Sequence, residues 1–358
     1  MNRNRRNFLR TLSLSAITTQ LPLSAQRNPS PTTILKPPRL KVGDTVGLIS
    51  PAGYIDRKDI EDIKEDLAKL GLNVKLGAHV YNRYGYLAGS DANRAADVNA
   101  MFADSSVQAI LPMRGGWGCN RILPLLDYSL IRTHPKIIMG LSDITSLLIG
   151  IYANSGLVTF HGPTGQSTWN PFTVNYVKRV LFNGEVFTLK NLKTSDNRTI
   201  TPVQTITSGK ARGKLVGGNL SVLSAMVGSP YLPSWKETIL FVEEIGEEVY
   251  RVDRLLTQLK LAGILEQIAG FVFGQCTDCD SAAGRNVLRI TRQNSQKDGE
   301  ESLTLTQVLR DHIQPLGIPA WNGSMIGHIK DKFTLPVGVE VEIEASKGTI
   351  QLLESAVT

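Results

Sequence analysis

The sequence predicts an α/β protein with two domains. Its 358 residues are too many for one domain of ~150 residues. Apolar, strand-like runs alternate with helix-like stretches in both halves of the chain, which is typical of mostly parallel sheets flanked by helices. Between about 166 and 210 this alternation weakens and polar residues dominate. We therefore expect an N-terminal domain at 38–165, a connecting segment at 166–210 and a C-terminal domain at 211–358.

In the N-terminal half, short apolar runs predict strands, and apolar residues three or four positions apart predict helices. Ile60, Ile63 and Leu67, for example, share one helical face. The expected strands are 44–50, 73–77, 107–114, 136–140 and 157–163. The expected helices are 57–71, 91–103 with Asp91 as its cap, a short one near 121–127, and 143–154.

The C-terminal half predicts a second α/β unit that ends in a β-hairpin. Alternating apolar and polar residues over 334–354 indicate the hairpin, and the polar stretch 280–302 indicates a surface loop. The expected helices lie near 218–227, 249–262 and 304–315, and the expected strands are 238–244 and 270–276.

The first 25 residues have the composition of an export signal. Four arginines and no acidic residue open the chain, a mildly apolar stretch follows, and small residues end it. The adjacent Arg5 and Arg6 resemble the twin-arginine type, which predicts an exported or periplasmic protein cleaved near Ala25. Residues 26–37 then form a linker rich in Pro, Ser and Thr. The alternative is a disordered basic tail on a cytoplasmic protein.

Composition excludes several classes of protein. No run of ~18 apolar residues is present, so the mature chain is not expected to insert stably into a membrane. Loss of the four N-terminal arginines would lower the formal net charge from +7 to +3. Because no basic stripe with interleaved aromatic residues is present, we expect no nucleic-acid partner.

Cysteine and histidine spacing predicts neither a metal site nor a cofactor. Cys276 and Cys279 have redox-type spacing, but no second pair is present to complete a zinc site. A local bridge or two free thiols is therefore expected. The five histidines do not form an H-E-x-x-H metal motif.

Ser142 lies between an apolar strand and an apolar helix, in the stretch "MGLSDIT". At such a junction a hydroxyl can be exposed above a sheet, and the free N–H groups of the first helical turn can stabilise an oxyanion. The N–H of Asp143 is the natural donor. The alternative is that Ser142 or Asp143 only caps the helix. The hydrolase pattern G-x-S-x-G is half met, since Gly140 is present but residue 144 is isoleucine.

A serine nucleophile needs a base and a group that orients the base. His161 and His328 follow strand-like runs and are the candidate bases. Glu243 and Glu244 end the buried run "TILFV", where a carboxylate is well placed for a site, although a solvated strand end is the alternative. The turn "GGWGCN" supplies paired glycines, of which Gly116 could donate a second N–H to an oxyanion.

Together these segments resemble the LD-carboxypeptidase family, which comprises murein tetrapeptide carboxypeptidases and the microcin C immunity peptidase. The resemblance covers roughly residues 36–355. The segments that carry it are "KPPRLKVGDTVGLISPAG", "LAGSDANRAADVNAMFAD", "MRGGWGCNRILPLLD", "PKIIMGLSDIT", "GLVTFHGPT", "GGNLSVLSAMVGSPYLP", "ILFVEEIGEEVYRVDRLLTQL" and "IGHIKDKFTLPVGVEVEIE".

The resemblance implies a catalytic triad in a cleft between the two domains. Ser142 is its nucleophile, His328 its base and Glu243 its acid, with Glu244 as the neighbour that a one-residue shift would select. Gly116 and Asp143 supply the oxyanion hole.

The resemblance also suggests which residues bind substrate. Members commonly have Tyr where this chain has Leu141, and Tyr or Phe where it has Trp117. Arg114, Trp117 and Arg254 are the candidate substrate-binding residues, the arginines because the scissile end of the substrate carries a free carboxylate.

The resemblance implies a serine peptidase that releases the terminal D-alanine of murein tetrapeptides. The N-terminal signal predicts that this one is exported, whereas family members are commonly cytoplasmic. The partner is then a peptidoglycan-derived peptide, and a homodimer is plausible for the family. Two alternatives are an immunity-type hydrolase of another amide bond and a murein-peptide binding protein without activity.

Overall fold

The first half of the chain builds a six-stranded sheet. The computed structural model describes residues 33–192, 201–279 and 302–358. The strands of this sheet are β1 (Thr45–Ile49), β2 (Asn73–Leu76), β3 (Ala109–Pro112), β4 (Ile137–Gly140), β5 (Thr159–His161) and β12 (Leu335–Val337). Their order is β12-β5-β4-β3-β1-β2. All neighbours are parallel except β12, which runs antiparallel to β5.

Helices flank this sheet, and α5 is buried on nearly all sides. α1 buries Ile60, Ile63 and Leu67, as their spacing predicts. The predicted cap of α2 is wrong: the hydroxyl of Ser90 accepts the N–H of Asn93, because Ser90 and not Asp91 is the last extended residue before the helix. The helices are α1 (Arg57–Lys69), α2 (Asp91–Ala103), α3 (Cys119–Ile122), α4 (Tyr128–Thr133), α5 (Thr145–Ser155) and α6 (Pro171–Val177).

The second half builds an eight-stranded mixed sheet. Its strands are β6 (Thr188–Leu189), β7 (Gln204–Thr207), β8 (Lys210–Asn219), β9 (Ile239–Ile245), β10 (Gly270–Thr277), β11 (Ala320–Asn322), β13 (Glu340–Glu344) and β14 (Thr349–Leu352). The order is β6-β14-β13-β8-β9-β10-β11-β7, with β8 to β11 parallel at the centre. β13 and β14 form the predicted hairpin. The helices are α7 (Leu220–Ala225), α8 (Val249–Leu261) and α9 (Leu305–Ile313).

The two sheets confirm the predicted fold class, an α/β protein with two sheet-based halves. They are joined more closely than the predicted division at 165 and 211 suggests, because β12 comes from the C-terminal half and extends the first sheet. α5 also contacts β8 of the second sheet, where Thr145 Oγ1 accepts the N–H of Asn219 at 3.0 Å. The division itself stays a prediction.

Some predicted features lie outside the described residues. These are the export signal with its cleavage point, most of the linker, and most of the polar loop at 280–302. Within the described residues, Cys276 and Cys279 form a disulfide bridge, which was one of the two expected states. No helix in these ranges is long and apolar enough to cross a membrane.

Candidate active site

Ser142 sits on a strained turn between β4 and α5. Its φ is +64°, and among the described residues only two other non-glycine residues have a positive φ. The left-handed region is costly for a side chain and often marks a functional position. Gly140 makes the turn possible, because a Cβ there would lie 2.8 Å from Cγ2 of Ile144. This geometry is that of a nucleophile on a sharp strand-to-helix turn.

The alternative that Ser142 or Asp143 caps the helix is wrong. Neither side chain accepts a hydrogen bond from the first turn of α5. Instead Oδ2 of the buried Asp143 accepts the backbone N–H of Cys119 at 2.9 Å. Burial raises the pKa of Asp143, and it also raises the pKa of the Cys119 thiol. Asp143 therefore ties the glycine turn to the segment that carries Ser142.

The glycine turn lies directly against Ser142. A Cβ on Gly115 would lie 2.9 Å from Cβ and 3.1 Å from Oγ of Ser142, and 3.4 Å from the backbone N of Asp143. Gly116 has a φ of +130°, which a residue with a side chain rarely adopts. Only glycine can bring this backbone so close to the hydroxyl. The predicted role of the Gly116 and Asp143 N–H groups as an oxyanion hole stays a prediction.

His328 and Glu243 are paired. Nδ1 of His328 lies 2.8 Å from Oε2 of Glu243, which fits an imidazole N–H that donates to a carboxylate. Glu243 is fully buried at the end of β9. Gly327 allows this approach, because its φ is +114° and a Cβ there would lie 2.7 Å from Oε2 of Glu243. The hydroxyl of Thr277 on β10 donates to the carbonyl oxygen of His328 at 3.2 Å and holds the backbone.

Glu244 has a different set of partners. Its Oε1 accepts the side-chain N–H of Asn219 at 3.0 Å, and its Oε2 accepts the backbone N–H of Ser221 at 2.8 Å. These bonds fix the start of α7, and burial raises the pKa of the Glu244 carboxyl. The pairing with His328 therefore belongs to Glu243, and the two neighbouring carboxylates have separate structural settings.

Ser142 and His328 line one cavity of about 530 Å³. Among the described residues, no hydrogen bond joins the side chains of Ser142 and His328. In enzymes without bound substrate, the distance between the nucleophile and its base is often too long for a hydrogen bond. Among residues 33–192, 201–279 and 302–358, no Asp or Glu side chain lines the cavity. Its lining includes Ser142, His328, Gly116, Arg114, Lys330 and Lys332.

The cavity brings together only some of the predicted substrate-binding residues. Arg114 lines it. Trp117 does not line the cavity, and its side chain is 46% exposed. Arg254 is exposed on α8, where its guanidinium lies 5.5 Å from the centroid of the Tyr250 ring. The geometry therefore gives no support to substrate binding by Trp117 or Arg254.

Two further buried residues lie near the predicted triad, and Lys332 had no predicted role there. Lys332 is 5% exposed, lines the cavity, and has its pKa lowered to about 8 by burial. His161, one of the two candidate bases, is buried at the end of β5, does not line the cavity, and has both ring nitrogens without a partner among the described residues. Burial lowers the pKa of His161 to about 4. No local signal marks Lys332, which follows the charged pair Lys330 and Asp331 four residues after His328.

Comparison with known proteins places the chain in a family. The N-terminal domain of LD-carboxypeptidase matches residues 46–162, and the C-terminal domain of LD-carboxypeptidase matches residues 212–343. A probable murein peptide carboxypeptidase of Bacillus subtilis is 41% identical over 319 residues, which cover 88% of this chain and 93% of that protein.

Solved structures agree with the family match. The structure of MccF in complex with glutamyl sulfamoyl guanosine is similar with a TM-score of 0.78 and 26% identity, covering 90% of this chain and 100% of that chain. A muramoyltetrapeptide carboxypeptidase from Oxalobacter formigenes is similar with a TM-score of 0.69 and 28% identity, covering 86% of this chain and 97% of that one. The chain therefore belongs to the LD-carboxypeptidase family of serine-type peptidases, which confirms the resemblance and the prediction that it is an enzyme.

Proposed function

We propose that this protein is an exported serine carboxypeptidase that releases the terminal D-alanine from murein tetrapeptides. The observation that carries the proposal is the cavity in which Ser142, on its strained turn, faces the same space as His328 paired with Glu243. The names of the relatives from Bacillus subtilis and Oxalobacter formigenes support a murein peptide as substrate.

The proposed mechanism is acyl transfer. His328 accepts the proton of Ser142 as the hydroxyl oxygen attacks the carbonyl carbon of the scissile amide. Glu243 holds the imidazole in the tautomer whose Nδ1–H points at the carboxylate, and it stabilises the cation that forms. The N–H groups of Gly116 and Asp143 receive the developing oxyanion, and one such donor is typically worth ~3 kcal/mol of barrier. His328 then protonates the leaving D-alanine, and water releases the peptide from Ser142.

Export is supported by two features. The N-terminal stretch with Arg5 and Arg6 has the composition of a twin-arginine signal. The bridge between Cys276 and Cys279 suits an oxidising compartment, where disulfides persist. N-terminal sequencing of protein recovered outside the inner membrane tests this part: a start near Gln26 supports export, and a full-length cytoplasmic chain contradicts it.

The catalytic proposal is tested with a disaccharide tetrapeptide and the mature protein. Wild-type protein is expected to yield the tripeptide and free D-alanine, quantified by mass spectrometry. Ser142→Ala is expected to lower kcat/KM on the order of 10⁶-fold, because the nucleophile is lost. Ser129→Ala, an exposed serine on α4, is the control and should keep wild-type activity. Unchanged D-alanine release by folded Ser142→Ala protein would overturn the mechanism.

A second candidate function is hydrolysis of another amide bond. The similarity to MccF bound to glutamyl sulfamoyl guanosine favours it. The same assay with a glutamyl sulfamoyl nucleoside separates the candidates, since a higher kcat/KM for the nucleoside would favour the immunity-type activity. Tight binding of tetrapeptide without turnover would instead indicate a binding protein.

A further inference from the structure

The cavity beside Ser142 is positively charged. Arg114, Lys330 and Lys332 contribute cations to its lining, and no carboxylate side chain from the described part of the chain lines it. A cavity lined by charges of one sign attracts ligands of the opposite sign. The three cations differ in burial and in their partners, and these differences identify which of them is free to bind an anion.

Lys332 is the buried cation without a partner. It is 5% exposed, and its Nζ makes no hydrogen bond or ion pair within the described ranges. Arg114 has one of its five guanidinium N–H groups in use, because its Nη1 donates to the carbonyl oxygen of Tyr54 at 3.3 Å. Lys330 is exposed to solvent, where an ion pair is worth little. Burial of the side chain removes part of the hydration of this ammonium, so an anionic ligand that binds it restores a favourable contact.

The backbone around Lys332 is fixed before any ligand binds. The hydroxyl of Thr173 on α6 accepts the N–H of Lys332 at 3.3 Å and donates to the carbonyl oxygen of Lys330 at 3.1 Å. Nδ2 of Asn170 donates to Oδ1 of Asp331 at 2.6 Å. These bonds hold the segment that follows His328 against the start of α6. A cation held this way costs little entropy when it binds a ligand.

We propose that Lys332 binds the terminal carboxylate of the substrate and gives the enzyme its preference for a free C terminus. This inference rests on the proposed function, in which the leaving group is an amino acid with a free carboxylate. Ser142, His328 and Lys332 line the same cavity, so the scissile amide and the terminal carboxylate, which are one residue apart, can occupy it together. Lys332 then selects a carboxypeptidase substrate over an internal or blocked amide.

The competing role for Lys332 is to support Glu243. The charge of Asp331 and, less strongly, that of Glu243 favour the charged form of Lys332, and His161 also experiences the lysine charge. A lysine that only stabilised Glu243 would act through the triad. It would then affect every substrate equally, whether or not the substrate carries a terminal carboxylate.

The test compares two substrates, the murein tetrapeptide and the same peptide with its terminal carboxyl converted to an amide. Release of D-alanine or D-alaninamide is measured by mass spectrometry. Wild-type protein is expected to prefer the acid. Lys332→Met is expected to lower kcat/KM for the acid roughly 10- to 100-fold, the range for loss of one charged hydrogen bond. The same variant should change kcat/KM for the amide by less than about threefold, the usual spread for a residue that does not contact the substrate.

Two further variants sharpen the comparison. Lys330→Met should keep the wild-type ratio of acid to amide, and Lys332→Arg should restore part of the preference because the charge is kept. Binding of both peptides to Ser142→Ala protein, with and without Lys332→Met, is measured by calorimetry. This measurement does not depend on turnover, and circular dichroism establishes that each variant is folded.

The outcomes separate the two proposals. Three results would overturn the role of Lys332. Lys332→Met could keep the acid-to-amide ratio of wild type, it could lose activity equally on both substrates, or wild-type protein could show no preference for the acid. Release of D-alanine from neither peptide by wild-type protein overturns the proposed function instead.

Discussion

Gly327 controls how closely Glu243 approaches His328. A methyl group there would lie 2.7 Å from Oε2 of Glu243, and the φ of +114° is unfavourable for any side chain. The carboxylate lies 2.8 Å from His328 and is fully buried, so it cannot retreat without breaking this bond. A small backbone feature therefore sets the geometry of the proposed base.

Gly327→Ala is expected to lower kcat by about 10²-fold, the scale of a ~1 Å displacement in a catalytic group. Gly317→Ala is the matched control, since Gly317 also has a positive φ of +68° but nothing lies within 4 Å of the position of a Cβ. Both variants should lose stability in thermal unfolding, but only Gly327→Ala should lose turnover. Equal turnover in the two variants would contradict the role of Gly327.

His161 makes the stability of the fold depend on pH. Its pKa is lowered from 6.5 to about 4 by burial, and its ring packs edge-on against Phe241 with centroids 5.3 Å apart. Above pH 6.5 both the folded and the unfolded chain hold it neutral, so its contribution is complete. As the pH falls from 6.5 to about 4, the unfolded chain binds a proton that the folded chain does not, and stability is lost.

His161→Phe should remove this dependence. The free energy of unfolding of wild type, measured relative to the variant, is expected to fall by about 1.4 kcal/mol per pH unit across that window. The total is about 3 kcal/mol. Urea unfolding at several pH values measures the difference. A constant difference between the two proteins would show that His161 does not titrate in this way.

At the scale of elements, two neighbouring carboxylates near the end of β9 have different roles. Glu243 pairs with His328, whereas Glu244 holds the start of α7 through Ser221 and the side chain of Asn219. Alternation along a strand explains the difference, because successive side chains point to opposite faces of a sheet. A one-residue shift would therefore replace the proposed triad acid, Glu243, by the carboxylate that fixes the start of α7.

Glu243→Gln is expected to lower kcat by ~10³ to 10⁴-fold, because an amide does not hold the imidazole in the required tautomer. Glu244→Ala should instead lower the free energy of unfolding by about 1–3 kcal/mol, because the side-chain N–H of the buried Asn219 loses its acceptor. Turnover and denaturant unfolding of the two variants form the comparison. A large loss of kcat in folded Glu244→Ala, with Glu243→Gln near wild type, would reverse the assignment.

Local patterns predicted most elements but not their ends. The spacing of Ile60, Ile63 and Leu67 predicts α1, and strand-like runs predict the parallel core. Both predictions succeed because a helix or strand depends mainly on residues that are close together in the sequence. The cap of α2 was misplaced by one residue, since Ser90 and Asp91 are both good caps and only the backbone decides. The role of Asp143 was not predictable, because its partner, the N–H of Cys119, lies 24 residues away.

At the scale of the whole molecule, the site depends on contacts between distant parts of the chain. β12 crosses from the C-terminal half to pair with β5, and α5 contacts β8. These contacts bring Lys332 to the same cavity as Ser142. The triad residues were predicted through family resemblance. Lys332 was not, because its burial results from long-range packing that no local pattern encodes.

The central claim is that Ser142 forms a covalent bond with the peptide. Rapid quenching of wild-type protein with murein tetrapeptide, followed by intact-protein and peptide mass spectrometry, tests it most directly. We expect an adduct with the mass of the tripeptide acyl group, mapped to Ser142, together with free D-alanine. An adduct on another residue, or release of D-alanine by Ser142→Ala protein at the wild-type rate, would contradict it.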